Sequence, residues 1–482
     1  MSINQSTSRR IRQGSLLAAA CWICAAADGQ TAQRRGAAQA ESGSFVRQQQ
    51  LLNERLREQR REMAPLDALV DWQWGGWIDY YIFHFDDGQQ SSRLYNRPGL
   101  ALWTRITVDD GAHELFARMR LTFNHFKPGD EVNRQEDWQG PNFDRAWYRV
   151  DLGRALRLSE PSDPFQMAVK IGRQEVLFGG GYALDMPLDA LTVDASVGDF
   201  LVRGLLAKTI ASTDNIDRGA PVQNHSNRNF FGVEVRYRGL QNHEPFAYAV
   251  WNQDHTGERP EDPLQNYSYD TQYFGIGSRG TLAHNFNYWA EAVFESGHSF
   301  GDGMIHSQDN VVAYGLNAGL EYLWDRPSRP RVAFEYMFAS GDRDRHFSPT
   351  SAAGGNLHGK DSSFVAFGYR DTGLSASPAL SNIHIWKFGG SLRPLAGHDL
   401  FDEMELGSNW FIYHKNRAAG AISDPTADTR AGYVGWEMDY YVNWRFASDL
   451  SWTMRYGVFM PGHAFSDRSA RHFVFSGIIW SF

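Results

Sequence analysis

From about Asp71 to the C-terminus, apolar positions recur every second residue, the period of a pleated strand with two unlike faces. Leu115, Ala117, Met119, Leu121 and Phe123 alternate with Glu114, Arg118, Arg120, Thr122 and Asn124. Ala146, Tyr148, Val150 and Leu152 oppose Arg145, Arg149 and Asp151, while Phe231, Val233, Val235 and Tyr237 oppose Glu234, Arg236 and Arg238. The pattern returns between Val312 and Trp324, and again where Val434, Trp436, Met438, Tyr440, Val442, Trp444 and Phe446 flank Glu437, Asp439, Asn443 and Arg445. A soluble β-sandwich also alternates, but its strands run to roughly 5–6 residues. Segments of about 10–13 residues match tilted membrane strands instead. Trp324, Trp410, Trp452 and Trp480 fall towards strand ends on the apolar face, as an interfacial aromatic girdle requires. The pattern predicts an all-β protein, a transmembrane antiparallel up-and-down β-barrel.

Eighteen segments fit: 72–84, 99–108, 114–124, 145–152, 166–174, 188–196, 200–209, 230–238, 246–253, 272–280, 286–295, 311–324, 331–340, 383–393, 403–413, 434–446, 450–460 and 472–482. Closure needs an even number, so merging the pair 188–196 and 200–209 into other structure leaves sixteen as the alternative. A barrel of about eighteen strands encloses an aqueous lumen too wide for side chains to fill. Long polar loops are expected at 124–143, 253–270, 296–310, 341–381 and 414–432, alternating with short turns such as 239–244, 325–330 and 447–449.

The N-terminus reads differently. Arg9, Arg10 and Arg12 precede an apolar run from Leu16 to Ile23 and an Ala25/Ala27 cleavage pattern, which makes residues 1–27 a signal peptide. Both cysteines, Cys21 and Cys24, lie inside it, so the mature chain carries none, as suits a barrel that crosses the periplasm unfolded. Residues 28–65 form a periplasmic helical or linker segment. Phe45 to Met63 lacks Gly and Pro and is built of good helix formers, and Pro65 ends it. It either contacts a periplasmic export partner, plugs the barrel mouth, or is a solvated leader. The barrel occupies 66–482.

Composition narrows the class. Aromatics make up 14% of the 482 residues and glycines number 46, too many rings for a disordered chain. No stretch beyond the N-terminus approaches the roughly 18 apolar residues of a spanning helix. The last strand ends at Phe482 with Trp480 and Ile478 on one face, resembling the signal read by the barrel assembly machinery. Location in the outer membrane of a Gram-negative-type cell, among outer-membrane lipid, follows; no nucleic-acid partner is expected.

Several short motifs resemble the alginate-export family of outer-membrane porins. They are Lys170-Ile-Gly-Arg-Gln-Glu175 with Phe178-Gly-Gly, Asn382-Ile-His-Ile-Trp-Lys-Phe-Gly-Gly-Ser-Leu-Arg-Pro394, Gly435-Trp-Glu-Met-Asp-Tyr440 and Tyr456-Gly-Val-Phe-Met-Pro-Gly462. The resemblance spans about 70–482. It implies a monomeric 18-stranded channel whose arginine-lined constriction passes an anionic, alginate-like polysaccharide. By motif, Arg173 would join the arginine set, and Glu437 and Asp439 the facing acidic set.

Assigning the polar phase to the lumen gives a lopsided ring. Arg118, Arg120, Arg145, Arg149, Lys170, Arg236 and Arg238 come from the first half; Glu291, Glu295, Glu321, Glu335, Glu403, Glu405, Glu437 and Asp439 come mostly from the second. Guanidinium forks grip carboxylates in two-point geometry, so an anionic sugar chain could exchange partners along such a wall. Alternatively these charges merely hydrate the wall of a general diffusion porin. Removing the three signal-peptide arginines takes the net charge from −9 to −12. Selectivity is nonetheless set at the constriction, so an anion-preferring narrow zone is expected.

An outer-membrane enzyme needs a nucleophile or acid–base set at a strand end. Asp254-His255 and the Asp342-Arg-Asp-Arg-His346 run are the nearest candidates, and neither shows a partner in the sequence. His298, Asp302, His306 and Asp309 could hold a loop cation, although loop polarity explains them equally. Transport without catalysis, cofactor or resident metal is the expectation.

Overall fold

The computed structural model describes residues 70–482, apart from 87, 89–91, 127–136, 157–164, 211–226, 256–268, 301–307 and 346–358. The predicted signal peptide and the 28–65 segment lie outside the described residues.

The alternating segments form eighteen strands: β1 Val70–Asp86, β2 Arg93–Val108, β3 His113–Phe126, β4 Asp137–Asp151, β5 Phe165–Phe178, β6 Leu184–Val197, β7 Phe200–Lys208, β8 Arg228–Tyr237, β9 His243–Asp254, β10 Asp270–Ala283, β11 Phe286–Phe300, β12 Gln308–Leu323, β13 Arg331–Ala339, β14 Ile383–Leu392, β15 Glu405–Lys415, β16 Tyr433–Arg445, β17 Leu450–Pro461 and β18 Arg471–Ser481. Each is antiparallel to its neighbour, and β18 returns to β1 in a register running from Trp77↔Ser481 to Asp86↔His472, so the sheet is closed. Closure removes both sheet edges, the only way a sheet can satisfy its backbone inside lipid. Residue Phe482 completes the seal, exchanging both backbone hydrogen bonds with Gly76 at 3.0 Å. A one-turn helix, α1 Leu152–Ala155, follows β4.

The outward phase carries Trp72, Trp74, Ile78, Ile171, Ile276, Tyr314, Phe388, Trp410 and Trp480, all exposed and all without protein to cover them. A monomeric soluble chain does not leave such a band uncovered, whereas lipid covers it. One rim bears short turns, at 109–112, 198–199, 284–285 and 446–449; the other bears the long connections, including 340–382 and 416–432. The phase holds along almost every strand. Bulges make the exceptions: in β4 the register against β3 shifts at Asp144, so Arg145 and the exposed Phe143 lie on opposite faces, and in β16 it shifts where Gly435 adopts φ +145°, and Val434 turns inward to become buried.

Two features depart from the expectation of an open, water-filled cylinder. First, the extracellular-type loops are not all outside. A core of buried rings, among them Phe178, Tyr182, Tyr273, Phe364, Phe367, Phe411, Tyr413 and Phe459, fills much of the bore towards the long-loop rim. Residues 359–382, expected as part of a polar surface loop, run inside the barrel. Second, β4 and β5 pair only from Ala146↔Arg173 to Asp151↔Ala168, leaving the upper part of each strand unpaired with the other. Gly172 sits at the break with φ +123°, where any Cβ would meet the Ala146 carbonyl at 2.3 Å. Free carbonyls along this seam are capped by side chains: Arg173 donates to Phe143 O at 2.8 Å and Arg145 to Asp144 O at 2.9 Å.

Candidate functional site

Segment 359–382 runs inward, and wall carboxylates hold it there. Glu295 on β11 accepts from Val365 N at 2.9 Å and from the Tyr269 and Tyr273 hydroxyls. Glu437 on β16 accepts from Ser375 N at 2.5 Å, Ala376 N at 2.7 Å and the Tyr413 hydroxyl at 3.2 Å. Asp439 accepts from Leu374 N at 3.1 Å. Arg370 reaches back to Glu291 and Glu335, each at 3.8 Å, and donates to Gly180 O. Lys387 on β14 pairs with Asp371 at 2.6 Å. Leu374 then inserts among Trp77, Tyr81 and Phe475 on β1 and β18. In the β5–β6 turn, burial pushes the Tyr182 phenol well above its ordinary range, so it stays a neutral donor to Phe338 O at 2.8 Å.

This arrangement corrects the expected role of two residues. Glu437 and Asp439 do lie on the lumen phase, but they are 0% and 3% exposed. They are not an open acidic wall facing solute. Backbone N–H groups consume their charge, because burying a carboxylate without such donors costs several kcal/mol, on the order of the penalty for an unpaired buried ion.

The opposite wall is different. Along β2–β5 the lumen phase carries Arg97, Arg118, Arg120 and Arg145 and, nearer the short-turn rim, Arg105, Arg149 and Lys170. Four carboxylates answer these seven cations: Asp79, Glu114, Asp144 and Glu175. Arg118 makes a forked contact with Asp144 at 2.9 and 2.6 Å, and Arg120 stands 3.9 Å from the same carboxylate. Arg145 pairs with Glu175 and Arg105 with Glu114, which also lies 4.0 Å from Arg149. Lys170 sits 4.2 Å over the Trp147 ring. Arg120 and Arg149 keep about a third of their side-chain surface open, at 33% and 38%.

The remaining predicted residues divide. Arg236 is on the lumen phase but buried, held by Glu234 at 2.6 Å, Glu244 at 2.9 Å and Gly179 O. Arg238 is half exposed at the short-turn rim, 3.4 Å from Glu244. Glu321 is paired with Arg331 and bonded to Asn287. Arg173 does not join the arginine set. It pairs in register with Ala146 and Asp189 on the outward phase, bonds Asp189 at 2.9 Å, and closes the β4–β5 seam. The parity of β5 agrees with this, since Arg173 shares the face of the exposed Ile171 and not that of Lys170; only the motif placed it in the arginine set. Sequence reasoning also missed Arg370, Asp371 and Lys387. Lys387 was legible from the phase of β14, whereas nothing in a 40-residue polar connection says which part folds inward.

Two residues of the enzyme candidates take part in ion pairs and hydrogen bonds of the wall and the inward loop. Asp254 is buried against Arg228 at 3.1 Å, and Asp342 accepts from Ser362 N and Ser363 contacts its backbone. His346 lies outside the described residues, as do Asp302, His306 and the side chain of Asp309. Among the described residues no three His, Cys, Asp or Glu side chains group to hold a metal ion.

A closed membrane barrel of eighteen strands, with a loop folded into its bore and charged walls beside that loop, defines an outer-membrane channel. The chain belongs to the alginate export family: the sequence model described as "Alginate export" matches residues 156–477. No curated protein matches the chain. The fold is similar to that of solved porin structures at low identity. Pseudomonas aeruginosa OccK8 (OprE) superposes with a TM-score of 0.52 at 10% identity, covering 86% of this chain and 98% of that one. A BenF-like porin from Pseudomonas fluorescens gives 0.51 at 10%, with 86% and 98% covered. P. aeruginosa OccK7 (OpdD) gives 0.50 at 10%, with 86% and 99%. With the barrel placed in the outer membrane, the short-turn rim faces the periplasm and the long loops face outside.

Proposed function

We propose that the channel passes an anionic polysaccharide, or another multiply anionic solute, along an arginine-lined constriction on the β2–β5 wall. One observation carries this reading. The inward loop neutralises the acidic wall with its own backbone, while the arginine wall retains more cations than carboxylates and partly open guanidiniums. In a low-dielectric bore that imbalance, rather than the acidic charge of the whole chain, fixes the local potential. Arg118, Arg120, Arg145, Arg149 and Lys170 would grip successive carboxylates or sulfates, with Asp144, Glu114 and Glu175 as exchange partners that keep any single grip from becoming permanent. Arg236 and Glu321 would shape the potential around them without touching solute. The family membership supports the class of cargo, and the charge distribution supports its sign.

Reversal potential in planar bilayers under a salt gradient tests this. The intact channel should prefer anions and be blocked by an oligouronate. Replacing Arg118, Arg120, Arg145 and Arg149 with glutamine together should move the reversal potential towards cations and abolish the block. An intact channel that prefers cations and ignores oligouronates makes a general diffusion porin the better account.

A further inference from the structure

A second cationic cluster lies near the short-turn rim, on strands β8–β11 and away from the mid-height arginines. Its centre is Glu244 on β9, met by Arg236 at 2.9 Å, Arg238 at 3.4 Å and Arg279 at 2.6 Å. Arg236 is buried and already balanced by Glu234. Glu244 is therefore shared between Arg238 and Arg279, whose side chains are 54% and 53% exposed. Two open guanidiniums for one carboxylate leave net positive charge at the surface of the bore.

The cluster borders an open cleft on the bore wall. A cleft of about 520 Å³ is lined by Arg238, Glu244 and Arg279 together with Trp289, Asn287 and Asn242. Glu244, Arg279 and Trp289 are directly opposite one another across β9, β10 and β11, so all three share the lumen phase. The Trp289 indole lies across Gly319 on β12, where a Cβ would come within 2.1 Å of the ring. Only glycine there lets the indole lie along the wall. A flat aromatic surface packs against the C–H face of a sugar ring, guanidinium forks take a carboxylate in two-point geometry, and the amides of Asn242 and Asn287 suit hydroxyls. The three chemistries converge on a carboxylated sugar.

We propose that Arg238, Arg279 and Trp289 form a loading subsite at the periplasmic mouth that captures uronic-acid residues of the polymer before they reach the mid-height arginines. This rests on the anionic-polysaccharide reading above and adds where, and by which side chains, the chain is first taken up. Arg238 and Arg279 attract and orient the carboxylates. Trp289 supplies the surface that separates a sugar acid from a small inorganic anion.

The test is single-channel block of the full-length protein by an oligouronate of defined length, added to one side of the bilayer at a time. In the intact channel the association rate should be greater from the short-turn side. The double variant Arg238→Gln/Arg279→Gln should lower that rate about tenfold, as loss of mouth charges does, and leave the rate from the other side and the reversal potential unchanged. Trp289→Ala should shorten oligouronate blocks from the short-turn side and leave sulfate effects as they were. Heat-modifiable gel migration verifies that each variant is folded, and Arg279→Lys, which keeps the charge but not the fork, should fall between. Equal rate loss from both sides, or none from the short-turn side, overturns the loading subsite while the anionic-channel reading stands. Absence of block from either side in the intact channel overturns both.

Discussion

Replacing Glu437 by alanine should release the inward loop without unfolding the barrel. The carboxylate receives Ser375 N, Ala376 N and the Tyr413 hydroxyl; Tyr413 keeps the Thr372 carbonyl as acceptor, so two backbone donors would be left without one. At about 1–3 kcal/mol for each buried donor deprived of a partner, and with water able to repair some of the loss once the segment lifts, docking should weaken by roughly 2–4 kcal/mol. The effect stays local. Asp439 still holds Leu374, Glu295 still holds Val365, and Lys387 still pairs with Asp371, so detachment should be confined to about residues 375–378, before Ala379 bonds Ser423. The closed ladder of eighteen strands takes no part in this contact, and heat-modifiable migration should be that of the unaltered protein. Single-channel recordings should show larger or noisier conductance, and limited proteolysis should gain a cut inside 375–378. Glu437→Gln, which keeps one acceptor oxygen but brings an N–H₂ against a donor, should give a smaller version of both changes. Wild-type conductance, noise and protease resistance in Glu437→Ala would refute the claim that this carboxylate anchors the loop.

Further outcomes are expected at the wall. Leu121→Arg places a charge on the outward phase opposite Leu100 and should cost about 2–4 kcal/mol in reversible unfolding from lipid vesicles, whereas Arg120→Ala on the lumen phase should leave that midpoint nearly unchanged. Arg173→Ala removes the cap on the Phe143 carbonyl and should increase hydrogen–deuterium exchange along 143–145, while leaving the reversal potential alone because Arg173 does not face the bore. Deleting Phe482 removes both backbone bonds to Gly76 and the terminal ring, so assembled protein, measured as the heat-modifiable band, should fall sharply in cells.

The strand count was legible because lipid imposes a hard rule on one face of every strand, and a two-residue period survives in the sequence wherever that rule applies. Each predicted segment overlaps an observed strand, even the doubtful pair that became β6 and β7. Ends were less legible: β2 begins at Arg93 and β4 at Asp137, well before the clear alternation starts, because strand extensions beyond the lipid band no longer need an apolar face. The lumen side obeys a weaker rule. It must be satisfied, and water, ion pairs or a folded-in loop all satisfy it. Glu437 and Asp439 therefore read the same whether they face solvent or the amides of Leu374, Ser375 and Ala376. Arg173 failed for a different reason: a motif resemblance placed it among the arginines, whereas the parity of β5 puts it with the exposed Ile171 and opposite Lys170.

The register bears on the proposed role of the positive charge on the first strands. Arg118 stands directly opposite Arg145, and Arg149 directly opposite Lys170. Like charges in such positions destabilise a sheet by about 0.2–1 kcal/mol per pair, and polar residues of either sign would hydrate the bore equally well. The neighbouring groups limit the cost without removing the charge: Asp144 takes Arg118, Glu175 takes Arg145, Glu114 approaches Arg149, and Lys170 rests on Trp147. Beside these strands the wall also forgoes part of its ladder, at the β4–β5 seam, and closes it with arginine side chains instead of backbone. A barrel needing only to be stable and wet gains nothing from that concentration of guanidiniums. A bore through which carboxylates must move from grip to grip does, because closely spaced cations, each already half engaged by an acidic neighbour, offer a passing anion many exchanges of similar energy and no single deep trap.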